Sequence, residues 1–67
     1  MDNQHGINAE KLREWRERMN LSQNALDKLA GLGSRTTRNA EAGKGITVSS
    51  LIKLSNALGV PPTIFLD

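Results

Sequence analysis

Sixty-seven residues make one domain at most, and a chain this short buries only about 60% of its unfolded surface, so its core is thin. With no cysteine and a single histidine, His5, both a disulfide framework and a Cys/His zinc site are excluded, and helix packing alone must hold the fold. The net charge of +2, nine Lys plus Arg against seven Asp plus Glu, is too mild to establish a nucleic-acid partner, and no apolar run approaches the roughly 20 residues that span a bilayer.

Residues 1–7 show no helical period and are read as a flexible tail to a single domain covering residues 1–67. They lack the basic-then-apolar order of a signal peptide, and a cytoplasmic, reducing setting is expected. His5 is read as a solvated tail residue. A first helix is predicted from about Ala9 to Met19, with Asn8 as its N-cap and Ile7 and Leu12 at the positions of a hydrophobic staple. Leu12, Trp15 and Met19 fall on one stripe. Ser22 caps a second helix, Gln23 to Ala30, carrying Leu26, Leu29 and Ala30 inward, and Gly31 stops it. After only Leu32 and Gly33, a third helix runs from Ser34 to about Ala42. Thr47 caps a fourth, Val48 to Leu58, with Val48, Leu51, Ile52, Leu54 and Leu58 as the buried face. Pro61-Pro62 opens a last helical turn carrying Ile64, Phe65 and Leu66. No stretch alternates with period two, so no sheet is predicted.

The charge is unevenly spread. Residues 1–20 hold four acids and four bases, whereas residues 34–45 hold Arg35, Arg38 and Lys44 against Glu41 alone. A local basic segment in a near-neutral chain is a modest footprint for phosphate. Catalytic chemistry finds no footing. There is no HExxH pair and no thiol nucleophile, and His5 stands alone. Gly31-Leu32-Gly33 begins a GxGxxG pattern, but Thr36 replaces its third glycine and no strand precedes it. Gly43-Lys44-Gly45 has Arg38 where a phosphate loop needs its first glycine. No enzyme activity, metal, cofactor or small-molecule ligand is expected.

Leu21-Ser22-Gln23, Leu26, Leu29-Ala30-Gly31, Glu41-Ala42-Gly43-Lys44, Leu54 and Ala57-Leu58-Gly59-Val60-Pro61 stand in an order and spacing that resembles the phage lambda repressor and Cro family, the Xre-type helix-turn-helix proteins. The match runs from about Leu12 to Leu66. The resemblance implies an all-α, compact five-helix bundle with a central helix-turn-helix. It also implies a transcriptional repressor that binds a double-stranded DNA operator as a homodimer, formed off DNA or only on it, in a prokaryotic or phage-encoded, nucleoid-associated setting. The second helix would cross the phosphate backbone and the third would lie in the major groove. Ser34, Arg35 and Asn39 match the base-reading positions, with Arg38 on an adjacent face. Arginine suits guanine and asparagine suits adenine. Gln23 matches a position that contacts phosphate and braces the third helix, and Lys44 matches a phosphate-contact position.

Arg16 has no acid three or four residues away, and Glu41 is the only acid between Asp27 and Asp67. The family's arginine and glutamate at these two places form a partly buried ion pair, and the same structural pair is expected here. Two positions depart from the family. Asp27 stands where alanine is usual, and Thr37 where isoleucine or valine faces that alanine. Either Thr37 donates a hydrogen bond to Asp27, or the helices are displaced and Asp27 is wet. Trp15 replaces an aliphatic residue and is read as core. The altered contact lends weight to an alternative function, a protein-interaction module on the same fold, such as an antitoxin or adaptor domain.

Overall fold

In a computed structural model, residues 4–66 are described, without the side chains of Gln4 and His5. The expectations for residues 1–3, for the His5 side chain and for Asp67 lie outside the described residues. Three helix starts follow from side-chain caps. Asn8 accepts the Lys11 amide at the head of α1 (Ala9–Arg18) at 3.1 Å. Ser22 accepts that of Ala25 at the head of α2 (Gln23–Ala30) at 3.0 Å. Thr47 accepts that of Ser50 at the head of α4 (Val48–Leu58) at 3.2 Å. Each cap satisfies an amide that the helix itself leaves without an acceptor. Gly31 ends α2 in the left-handed conformation, φ +71°, which a side chain would resist.

The third helix is shorter than its sequence pattern suggests: α3 spans Thr36–Glu41, and Ser34 and Arg35 form the turn before it. The cause is backbone geometry, since Arg35 sits at φ +72° and cannot continue into a right-handed helix. The five-helix expectation is also corrected. There are four α-helices among the described residues, and the last element is a single 3-10 turn, Pro62–Phe65. Pro61 holds an extended conformation, and Pro62 has no amide to donate.

The prediction of no sheet is corrected as well. β1 (Gln4–His5) pairs antiparallel with β2 (Ile46–Thr47), with Gln4 opposite Thr47 and His5 opposite Ile46. Two residues per strand are too few to carry a visible period of two. The backbone of residues 4 and 5, read from sequence as tail, therefore meets the α3–α4 connection.

Leu12, Leu26, Ala40, Ile46, Leu51, Leu54, Leu58 and Phe65 form the buried core, with Ile7, Trp15, Leu21 and Leu32 partly buried around it. α2 packs on α3 and α4, while α1 packs on α3 and the 3-10 turn. Several residues read as inward are instead exposed: Met19, Leu29, Val48 and Ile52. Each lies at the edge of its helix stripe, and a thin core covers only the centre of each stripe. Trp15 is half-buried, with the Arg18 guanidinium 4.6 Å from its ring centroid. None of the described helices is long and apolar enough to cross a membrane.

Candidate nucleic-acid interface

Two helices and a tight turn position the candidate residues. α2 ends at Gly31, whose amide donates to the Lys28 carbonyl, while the next amide, of Leu32, donates to the Asp27 carbonyl at 2.8 Å. Leu32 is half-buried and packs on the core, so the chain is anchored midway through the turn. The Thr36 hydroxyl and amide both donate back to the Gly33 carbonyl, at 2.9 and 3.4 Å. α3 then buries Thr37, Ala40 and Glu41 against the body of the protein. By elimination of that face, Arg38 and Asn39 are turned to solvent, and Ser34 and Arg35 are exposed in the turn just ahead of them.

The two helices meet through the residues that depart from the family. The Thr37 amide and hydroxyl both donate to Asp27 Oδ1, at 2.9 and 2.7 Å. Asp27 is 3% exposed and Thr37 is fully buried, so the hydrogen-bonded arrangement is the one adopted, and the wet, displaced one is not. The other oxygen, Asp27 Oδ2, is buried and has no hydrogen-bond partner among the described residues.

Behind α3, Arg16 and Glu41 are brought together. Arg16 Nε donates to Glu41 Oε2 at 2.6 Å, and its Nη2 donates to Oε1 at 3.1 Å, a two-pronged contact. Arg16 Nη1 also donates to the Leu21 carbonyl at 2.7 Å, so one guanidinium joins α1, the α1–α2 turn and α3. Gln23 Nε2 donates to Glu41 Oε1 at 3.0 Å, and Arg13 Nε lies 3.7 Å from that oxygen. Burial pushes the Glu41 carboxyl up. The hydrogen bonds from Arg16 and Gln23, with the charges of Arg16 and Arg13, outweigh it and hold the group below the usual carboxylate range. The hydrogen bond to Glu41 raises the Arg16 guanidinium above its ordinary value, against a smaller opposing effect of burial.

Of the sequence-predicted residues, Gln23, Arg35 and Arg38 are gathered. With Ser22 and Asn24 they line an open cleft of about 330 Å³ between the start of α2 and the start of α3. Asn39 faces a second hollow of about 180 Å³ with Thr36, Gly45, Ile46, Thr47 and Ser50, at the head of α4. Ser34 is exposed and belongs to neither of these two hollows. Lys44 is exposed beyond α3 and lines neither of them, its amide donating to the Asn39 carbonyl at 3.0 Å. Sequence reading missed Asn24, Thr36 and Ser50, and it saw Ser22 and Thr47 only as helix caps. The available signal was that a cap marks a helix end, and a helix N-terminus collects amides that suit phosphate. Among the described residues, no three His, Cys, Asp or Glu side chains gather into a group that could hold a metal ion.

The helix-turn-helix family model matches residues 12–65, most of the chain. Among solved structures, the chain is similar to the restriction-modification controller protein C.AhdI from Aeromonas hydrophila. The two share 32% identity over 82% of this chain and 85% of that one, with a TM-score of 0.76. It is also similar to the hypothetical transcription factor NHTF from Neisseria, at 29% identity over 81% of this chain and 63% of that one, with a TM-score of 0.75. No curated protein matches it in sequence. The α2–turn–α3 geometry, the family match across it and these two likenesses agree: the chain belongs to the helix-turn-helix family, of the lambda-repressor-like type, and is a DNA-binding transcriptional regulator.

Proposed function

We propose that the chain is a sequence-specific repressor that reads a double-stranded operator through the start of α3, as a symmetric dimer, in a prokaryotic or phage-encoded cytoplasmic setting. The observation that carries this reading is the exposed edge made of Ser34, Arg35, Arg38 and Asn39, with Arg35 and Arg38 beside the head of α2, while the opposite side of α3 is buried. A helix presented in this way lies in the major groove with its first residues at base edges. Arg35 supplies a two-pronged donor suited to guanine, and Asn39 can pair with adenine. Ser34 and Arg38 flank them. Gln23 has its side-chain amide held by Glu41, which leaves its backbone amide, at the head of α2, to face a phosphate. Lys44 meets phosphate from the loop beyond α3.

Binding of the wild type and two variants to a selected site and to scrambled duplex, across a salt series, tests the reading. Arg35→Ala costs about 1–3 kcal/mol on the selected site and relaxes the choice of one base pair per half-site. Lys44→Ala weakens both duplexes alike and lowers the salt slope by about one unit. If the two variants lose affinity equally on both duplexes, Arg35 is a phosphate contact only. The interaction-module alternative drew its weight from the Asp27–Thr37 departure, and two hydrogen bonds now join those residues. It takes the lead if the wild type prefers no duplex sequence.

A further inference from the structure

The recognition region begins with a helix that has no cap of its own. Arg35 occupies the N-cap position of α3 in the left-handed conformation, and its side chain makes no capping hydrogen bond. It could not make one, because a guanidinium has five donors and no acceptor. A helix start normally meets this need with the side-chain oxygen of Ser, Thr, Asp or Asn at that position. Here the oxygen comes from another helix. Asp27 Oδ1, ten residues earlier in the middle of α2, takes the Thr37 amide at 2.9 Å and the Thr37 hydroxyl at 2.7 Å. It also places a carboxylate at the positive end of α3.

From this geometry we infer that Asp27 is a positioning residue for DNA reading. It caps α3 from outside, so the N-cap place can hold an arginine whose guanidinium is exposed for a base. The inference rests on the DNA-reading role of Arg35 proposed above. The physical content is directional. An alanine packed on a valine resists separation but hardly resists rotation, since apolar attraction has no preferred direction. Two hydrogen bonds from a single residue onto one oxygen fix both the height and the roll of α3 against α2. Burial of both partners keeps water from competing for that oxygen. Asp27 is too buried to meet DNA itself, so its influence passes through the pose of Arg35.

Four variants test this: D27N, T37V, D27A and the apolar pair D27A/T37V. The last restores the packing usual in the family and keeps the test open should D27A alone unfold. Two readouts are taken at a temperature where circular dichroism shows each variant folded. The first is the ratio of affinities for the selected and scrambled duplexes. D27N retains an acceptor oxygen and stays within about twofold of the wild-type ratio, while D27A/T37V drops it about tenfold with an unchanged salt slope. Adding R35A to D27A/T37V causes no further loss of preference at the Arg35 base pair, because the same contact is already gone. The second readout is residual dipolar couplings over α3 in the free protein, which report its angle to α2 without DNA. They shift in D27A/T37V and in T37V. A folded D27A/T37V with wild-type couplings, or with the wild-type affinity ratio, overturns the inference. Absence of any sequence preference in the wild type sinks the DNA-reading proposal instead, and the couplings then still decide whether Asp27 sets the pose of α3.

Discussion

Glu41 shows how a single side chain is constrained by its surroundings. It is 7% exposed, and its carboxylate is met by Arg16 on both oxygens and by Gln23 on one. Removing the charge of a buried partner leaves the other uncompensated, at a cost of about 3–5 kcal/mol. Glu41→Gln is therefore expected to lower stability by that order in urea unfolding, and a variant that unfolds with the wild type would mean the pair contributes nothing. The pH dependence has a definite sign. The carboxyl is held below its ordinary value in the folded protein, so its contribution is full above the unfolded value, about 4.3. The advantage of wild type over Glu41→Gln is constant from pH 7 to about pH 5, then shrinks as pH falls through the folded value. Arg16 could be singled out from the sequence because no acid lies three or four residues from it, and Glu41 because it is the only acid between Asp27 and Asp67. The bracing of α3 by Gln23 was legible only through the family resemblance, because its neutral amide carries no charge pattern and the Glu41 it meets lies eighteen residues on in sequence.

Among the elements, α1, α2 and α4 were legible because each carries its own start signal, and Asn8, Ser22 and Thr47 all cap as their residue type suggests. α3 was misread at its start for the converse reason. Its cap lies in α2, and no sequence rule marks an arginine in the left-handed region, where glycine or asparagine is the usual signal. The burial stripes were legible only at their centres, so Leu54 and Leu58 were placed correctly while Val48 and Ile52 were not. The conformation of Arg35 leads to a prediction that separates backbone from side chain. A left-handed non-glycine residue carries strain of roughly 1–2 kcal/mol, which glycine relieves in part, since it loses more freedom on folding. Arg35→Gly is thus expected to unfold at higher urea than Arg35→Ala, by about 1 kcal/mol, while both lose the same base preference. If alanine proves the more stable, φ at this position is negative in solution, and the backbone reason given for the late start of α3 fails with it.

At the scale of the whole molecule, both ends of the described chain are tied to one body. The Asn8 amide donates to the Phe65 carbonyl at 2.7 Å, joining the head of α1 to the final 3-10 turn, and β1 reaches the α3–α4 connection. Ile46 joins the core from a connection that the sequence presented as loop, because its packing depends on that long-range strand pairing. The three consecutive apolar residues near the C-terminus divide as three adjacent positions in a turn must. Phe65 is fully buried, Ile64 is half-buried and Leu66 is 53% exposed. Ile52, on the neighbouring α4, is also exposed. In the dimer proposed above, Leu66, just beyond the 3-10 turn that packs on α4, is the candidate contact through which a second copy docks about a two-fold axis. So small a contact would make the proposed dimer weak, formed chiefly when DNA holds two copies side by side. Half-sites about 10–10.5 base pairs apart, centre to centre, place both recognition helices on one face of the duplex. Sedimentation of the protein with duplexes bearing one half-site, two at that spacing, and two moved apart by half a helical turn reads the coupling. Affinity per half-site is expected to rise only on the correctly spaced pair, and Leu66→Ser is expected to remove most of that rise while leaving binding to a lone half-site intact. Equal affinity per half-site on all three duplexes would exclude the dimer, and a loss in Leu66→Ser on the lone half-site would place Leu66 in the fold instead of the contact.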